Sequence, residues 1–286
     1  MSGSDGAHAW PNGWACLSGA RGHVPVMNRA VALTRAVPAS IVACELTHLR
    51  RVPIDLDRAR REHAAYEQAL AALGCEIRRL PPRDDLPDSV FVEDTAVVLD
   101  EVAVLTRPGA ESRRSEVPSM RAALAPLRPV VAIEPPGTLD GGDVLALDEE
   151  IVVGLSERTN AEGAAQLARH VASSGWRARA VPVTGCLHLK SGVTRIGKRT
   201  LLVNPRWIDV AELRGRESLE CHPDEPFAAN ALWVGDAIIH AAEFPLTRAI
   251  MERAGHRVVS VPAGELARAE GGVTCCSVLV RLGQRF

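Results

Sequence analysis

Five segments of the chain share one pattern: a polar or glycine-marked entry, an alternating apolar strand, a short turn and a second apolar strand. One residue near each entry serves as a landmark, and the intervals between these landmarks are 49, 45, 42 and 45 residues for Asp94, Asp143, His188, Asn230 and Cys275. A near-constant period in the range of about 20–50 residues is typical of repeat architectures, propellers included. The sequence therefore predicts five similar units rather than one continuous pattern.

Helical patterns lie between the hairpins. Residues 56–73 carry apolar side chains at helical spacing and end at Gly74, a residue type that commonly terminates helices. Asn160 is a predicted N-cap for a second helix that ends at Gly175. Further helical stretches are predicted over 111–127, 207–215 and 245–255. Each unit then reads strand, helix, strand, strand, which indicates an α/β protein.

The two ends of this pattern complement each other. The strand at 30–37 opens the first unit, and the strand at 277–282 has no following partner in the sequence. Pairing them would close a ring and remove its exposed edges. We therefore predict a five-bladed, pseudo-symmetric α/β propeller with units of roughly 45–50 residues around a central channel. An ordinary doubly wound α/β sheet is the alternative. Residues 1–28 are predicted to be a flexible leader and 29–286 a single domain.

Composition restricts the partners. A net charge of −2 and an aromatic content of 3% disfavour a nucleic-acid binder, which would normally be basic. No apolar run approaches the roughly 18 residues that span a bilayer. Seven scattered cysteines without a C-x-x-C pair fit free thiols in a reducing compartment. We therefore expect a cytoplasmic protein that acts on a small molecule, without nucleic-acid or membrane partners.

In such a ring the hairpin entries converge on the channel. They would bring together carboxylates, one histidine and one cysteine: Glu93, Asp94, Asp140, Asp143, His188 and either Cys275 or Cys276. This is the composition of a nucleophile with a base. Each part also has a plainer interpretation: the LDGGD segment as a turn, His188 as a core histidine, and the cysteine pair as buried filler, a metal site or a vicinal disulfide. Because neighbouring side chains on a strand face opposite sides, only one cysteine can face the channel, and spacing does not say which.

Basic residues follow the second strand of two hairpins. Arg107, Arg113 and Arg114 come after one hairpin, and Arg158 comes after the next. Arginine suits bidentate capture of a carboxylate, although a solvated charged face is the plainer interpretation. Acids deep in the channel with arginines at its rim would match a substrate that has a cationic end and a carboxylate end.

Six ordered motifs make the chain recognisable. LPDSVFVEDTAVV, LTRPGAESRR, TLDGGDVL, VGLSERTN, LHLKSG and TCCSVL resemble the dimethylarginine dimethylaminohydrolases, which are guanidino-modifying enzymes of the pentein fold. The similarity runs from about Arg29 to Leu282. It implies a five-bladed α/β propeller, and hydrolysis of Nω-methylated arginines to citrulline and a methylamine through a covalent cysteine intermediate. It implies no cofactor, and it leaves a monomer or a homodimer open.

The resemblance also implies roles for individual residues. Cys275 would be the nucleophile, His188 the general acid and base, and Asp140 its acidic partner. Substrate contacts would fall on Leu46, Asp88, Glu93, Asp94, Arg113, Arg158, Ala269 and Glu270. Zinc bound by relatives suggests an inhibitory zinc at Cys275 and His188, and no catalytic metal. The rivals are an arginine deiminase or amidinotransferase, both ordinarily longer, and a pentein without catalysis, which would lack the cysteine, histidine and acid set.

Overall fold

The computed structural model describes residues 29–213 and 215–282, so the predicted leader over 1–28 lies outside the described residues. Fifteen strands form five three-stranded sheets in this part of the chain. The strands are β1 (Arg29–Arg35), β2 (Cys75–Leu80), β3 (Ala96–Val98), β4 (Ala103–Leu105), β5 (Val130–Ala132), β6 (Val144–Leu147), β7 (Glu150–Leu155), β8 (Arg177–Pro182), β9 (Val193–Arg195), β10 (Thr200–Val203), β11 (Glu217–Glu220), β12 (Ala231–Val234), β13 (Ala237–Ala241), β14 (Arg257–Val261) and β15 (Val278–Leu282).

Short helices connect these strands. The α-helices are α1 (Leu56–Ala72), α2 (Val117–Leu124), α3 (Ala161–Ala172), α4 (Leu189–Gly192), α5 (Pro245–Arg253) and α6 (Gly264–Ala267). Single 3-10 segments cover Ala39–Ala43, Val92–Thr95, Glu111–Glu116, Gly141–Asp143 and Val210–Leu213. Among the described residues, no helix combines the length and the apolar character needed to cross a membrane.

Every sheet is built in the same way. An antiparallel pair, which is a hairpin in four of the sheets, supplies two strands, and a third strand runs parallel to the second strand of that pair, as in the orders β3-β4-β5, β6-β7-β8, β9-β10-β11, β12-β13-β14 and β15-β1-β2. The last sheet joins the two ends of the described chain, with Val31 opposite Val280 in an antiparallel pair. The predicted closure of the ring and the five-unit α/β propeller are therefore confirmed.

The helix signals in the sequence have the predicted local causes. Asp55 caps α1 by accepting a hydrogen bond from the Arg58 backbone N–H at 2.9 Å, and the chain leaves this helix through Gly74 at φ +89°. Asn160 caps α3 in the same way, from the Gly163 N–H at 2.8 Å. The helix predicted over 207–215 is reduced to the 3-10 segment Val210–Leu213.

The hairpin entries are irregular where they reach the channel. The first strands of neighbouring sheets lie against each other, β15 with β3, β6 with β9 and β9 with β12, so they line the middle of the ring. Just before three of these strands the chain makes a short helical turn: Val92–Thr95, Gly141–Asp143 and Leu189–Gly192. These turns bring polar side chains from different units to the axis, whereas the apolar core lies between the sheets and the outer helices.

Candidate active site

The turns at the hairpin entries are packed too closely for ordinary side chains. The Gly142 N–H donates to Asp94 Oδ1 at 2.9 Å, which ties the second entry to the first. A Cβ atom on Gly142 would lie 2.7 Å from His188 Nδ1, so this position requires glycine. The GGD segment is therefore more than a turn, because it brings Asp94 and His188 together.

His188 is held by carboxylates on both sides of its ring. Its Nε2 lies 3.0 Å from Asp140 Oδ2, and its Nδ1 lies 3.9 Å from Asp94 Oδ1. The Gly109 N–H donates to the other Asp140 oxygen at 2.9 Å. Burial disfavours the imidazolium, but the charge of Asp94 and the hydrogen bond to Asp140 outweigh it and raise the pKa of His188 to about 9. His188 is therefore the positively charged imidazolium, with both ring nitrogens protonated, at neutral pH.

The two adjacent cysteines have different surroundings. Cys275 lines the same cavity as His188, and its sulfur accepts a hydrogen bond from the Gly272 N–H at 3.3 Å. Cys276 is 1% exposed and packs in the apolar core with Tyr66. Burial, followed by the charges of Glu93 and Asp94, raises the pKa of Cys275 to about 12. The structure thus places Cys275 at the cavity, and its side chain there is a protonated thiol.

The cavity beside Cys275 collects most of the candidate residues at one place. Its walls include carboxylates at Asp88 and Asp94 and the guanidinium group of Arg158. The group that lines it also contains Glu45, Phe91, Arg113, Leu187, His188, Ala269, Glu270, Gly271 and Cys275. Burial raises the pKa of Asp88, although Arg113 opposes this rise. A cavity with acids at one side and an arginine at another suits a ligand that is cationic at one end and anionic at the other.

Arg113 does not lie at the rim, and that part of the sequence prediction is wrong. Its guanidinium is 5% exposed, donates to Asp94 Oδ2 at 2.5 Å, and makes two hydrogen bonds with Glu116 at 3.0 and 2.8 Å. The 3-10 segment Glu111–Glu116 turns the side chain inward, where two carboxylates neutralise it. Arg158 is partly exposed, as predicted, and donates to Thr47 Oγ1 at 2.9 Å.

Glu93 and Glu270 already have partners within the protein. Glu93 lies 2.6 Å from Lys190 Nζ and accepts a hydrogen bond from Thr274 Oγ1 at 2.7 Å. Glu270, at φ +59°, accepts hydrogen bonds from the backbone N–H groups of three consecutive residues, Thr47, His48 and Leu49. Glu270 therefore fastens the segment after Leu46 over the cavity. Leu46 itself packs against the core and does not line the cavity.

Comparison with known proteins identifies the chain. The sequence model described as arginine deiminase matches residues 83–219. A dimethylarginine dimethylaminohydrolase of Streptomyces coelicolor is 42% identical over 251 residues, which cover 87% of this chain and 96% of that protein. The chain belongs to the dimethylarginine dimethylaminohydrolase family. The family member of Pseudomonas aeruginosa is 35% identical over 243 residues, 84% of this chain and 96% of that protein. A structure of that enzyme as a cysteine-to-serine variant with citrulline aligns at a TM-score of 0.84 and 33% identity, covering 89% of this chain and 99% of the other.

Two residues of this family member differ from what the sequence led us to expect. Lys190 was not singled out, although its motif LHLKSG was quoted for His188, because a lysine in that motif gives no sign that it will pair with Glu93. Asp143 was expected at the channel, but it accepts hydrogen bonds from Ser156, Thr159 and the Leu189 N–H. Burial raises the pKa of Asp143 to about 6 despite these donors. It fixes loops behind the site.

One group of three candidate metal ligands exists among the described residues of this family member. It consists of Asp94, Asp140 and His188, whose ligating atoms lie within 4.8 Å of one another. These three side chains already pair with one another. Their pairing raises the pKa of His188 to about 9 and helps lower the pKa of Asp94 to about 2. The pKa of Asp94 is lowered because the positive charges of His188 and Arg113 together outweigh the effect of burial. Cys275 is outside this group, and zinc at Cys275 and His188 stays a prediction.

Proposed function

We propose that this protein hydrolyses Nω-methylated arginines, namely asymmetric dimethylarginine and monomethylarginine, to citrulline and dimethylamine or methylamine. The observation that carries the proposal is the single cavity shared by Cys275, a protonated His188 and the carboxylates Asp88 and Asp94. The relatives named for this activity support it, since they match almost their whole length to this chain.

The walls of the cavity offer a partner for each end of such a substrate. Asp88 and Asp94 are anionic partners for the guanidinium, and Arg158 at the rim can bind the α-carboxylate through two hydrogen bonds. Arg113, neutralised by Asp94 and Glu116, keeps Asp94 ionised and in place. We assign it a positioning role, with Arg158 as the main carboxylate partner.

The substrate itself helps to form the nucleophile. Carboxylates near Cys275 help raise its pKa to about 12, so a guanidinium cation beside the sulfur has the opposite effect. The Cys275 proton leaves to solvent when the cation binds. The thiolate then adds to the guanidinium carbon. The negative charge on the Cys275 sulfur thus forms only when the guanidinium carbon is already oriented for attack.

His188 can serve both halves of the reaction. Protonated at neutral pH, it gives its proton to the departing amine as the C–N bond breaks, which leaves an S-alkylthiouronium on Cys275. Water then attacks the same carbon, and neutral His188 takes one of its protons. The C–S bond breaks, the second proton of the water leaves to solvent, citrulline forms and the thiolate returns. Asp140 holds the ring in position throughout, through its 3.0 Å contact with Nε2.

Product analysis tests the proposal against its nearest rival. Purified protein is incubated with asymmetric dimethylarginine and, in parallel, with arginine, and citrulline, dimethylamine and ammonia are quantified. We expect equal amounts of citrulline and dimethylamine from the first substrate and much slower citrulline formation from arginine. Faster ammonia release from arginine would make the protein an arginine deiminase, the name attached to the matching family model.

A further inference from the structure

A second and larger cavity adjoins the first at the reacting groups. It has a volume of about 340 Å³ and shares Cys275, His188 and Leu187 with the smaller cavity. Asp88, Asp94, Arg113 and Arg158 line only the smaller one. Cys275 and His188 therefore stand at the junction of two spaces, a narrow charged one of about 20 Å³ and a wider one that none of those four charged residues lines.

The walls of the larger cavity are mostly apolar. Phe227, Phe244 and Leu49 lie on it together with the alanines 241, 263 and 267. The three carboxylates that line it are already engaged: Glu93 with Lys190, Glu243 with the Ala263 N–H at 3.2 Å, and Glu270 with the N–H groups of Thr47, His48 and Leu49. A ligand group placed here would meet hydrocarbon surface rather than unpaired charge, which favours an uncharged apolar group.

The cavity is larger than methyl groups require. A volume of about 340 Å³ falls within the roughly 300–1,000 Å³ that ligand pockets usually span. The two methyl groups of a dimethylated guanidine would occupy only a small part of it. Methyl groups alone therefore do not account for the space next to the reacting carbon.

We propose that this cavity is a subsite for the Nω substituent and that the protein hydrolyses arginines with apolar Nω groups larger than methyl, up to at least n-butyl. This inference rests on the proposed function. The reaction is otherwise unchanged: the bond from the guanidinium carbon to the substituted nitrogen breaks, His188 protonates that nitrogen, and water supplies the oxygen of citrulline. The products are citrulline and the corresponding alkylamine.

The test is a series of Nω-methyl-, Nω-propyl- and Nω-butyl-arginine, with a charged member, Nω-(3-aminopropyl)arginine, as the control substrate. Each buried methylene contributes up to about a fourfold decrease in KM. We expect kcat/KM for the butyl compound to equal or exceed that for the methyl compound, and the charged control to be at least tenfold worse. A steady fall in kcat/KM from methyl to butyl would overturn the inference. If even the methyl compound is not hydrolysed, the proposed function itself has failed.

Two variants locate the effect in the cavity. Ala267→Phe should fill the space and reduce kcat/KM for the butyl compound at least tenfold, with little change for the methyl compound. Ala242→Phe places the same ring at an exposed residue outside the cavity and should change neither. If Ala267→Phe does not fold, Phe227→Ala is the alternative variant. It removes a ring from the cavity wall and should extend activity to substituents longer than butyl. Equal losses on methyl and butyl substrates in Ala267→Phe, or no gain in Phe227→Ala, would contradict the assignment.

Discussion

Replacing Asp140 by asparagine should lower the pKa of His188 without altering the shape of the site. Oδ1 of Asp140 accepts a hydrogen bond from the Gly109 N–H at 2.9 Å, and Oδ2 lies 3.0 Å from His188 Nε2. An asparagine must present its oxygen to the Gly109 donor, so its NH₂ group faces Nε2. A nitrogen that receives a hydrogen bond carries no proton, and the variant therefore favours a neutral His188 protonated on Nδ1.

The size of the effect follows from this one contact. A hydrogen bond between charged groups contributes about 1.5–3 kcal/mol, which corresponds to a pKa change of about 1–2 units. The pKa of His188, raised to about 9 in the wild type, should fall toward about 7–8. At pH 9 this shift lowers the protonated fraction of His188 about 5- to 50-fold, whereas at pH 7 the fraction falls by no more than about twofold, so the loss of kcat/KM should be largest at high pH.

Two measurements check this prediction. NMR titration of labelled histidine gives the pKa of His188 in each variant, and kcat/KM for asymmetric dimethylarginine is measured at pH 7 and at pH 9. Asp140→Glu keeps the carboxylate and is the matched control, for which we expect a high His188 pKa and a smaller loss of activity at pH 9. A His188 pKa still near 9 in Asp140→Asn, with kcat/KM at pH 9 within about twofold of wild type, would refute the reasoning.

Substitutions at four further positions test other parts of the site. Cys275→Ser should abolish citrulline formation, whereas Cys276→Ser should keep kcat and lower the free energy of unfolding by about 1–3 kcal/mol, because a hydroxyl replaces a buried thiol; a dead Cys276→Ser would reverse their roles. Arg158→Ala should reduce kcat/KM for dimethylarginine about 10- to 150-fold and leave any activity on agmatine, which lacks the carboxylate, unchanged. Lys190→Met should leave the charge of Glu93 unpaired, raise the pKa of Cys275 and slow its alkylation by iodoacetamide, while Lys190→Arg should not; equal alkylation rates in both would contradict this.

The periodicity of the sequence was enough to predict the fold. The hairpin pattern repeats at intervals of 42 to 49 residues, and the sheet that pairs β1 with β15 closes the ring as those end strands predicted. Glycine and asparagine at the helix ends also predicted α1 and α3, because capping depends on local contacts. The link before β11 was less predictable, since its helical pattern over 207–215 is as long as α5 and yet forms only one 3-10 segment.

Partners across the ring could not be predicted in the same way. Convergence of the hairpin entries placed Cys275 and His188 at one cavity, but the ion pairs there join residues far apart in sequence, such as Lys190 with Glu93. Arg113 follows a strand much as Arg158 does, yet a single 3-10 segment turns it inward onto Asp94. Residue type and spacing carry no information about which carboxylate an arginine will contact. The identity of that carboxylate is what distinguishes an arginine that binds substrate from one that positions another residue.

Trapping the covalent intermediate tests the central claim most directly. The protein is mixed with asymmetric dimethylarginine, quenched in acid during turnover, and analysed by mass spectrometry as intact protein and as peptides. We predict an added mass equal to the substrate minus dimethylamine, located on Cys275 and absent from the Cys275→Ser variant. Full turnover to citrulline and dimethylamine with no adduct on Cys275, or an adduct on Cys276 or another residue, would contradict the mechanism proposed for this site.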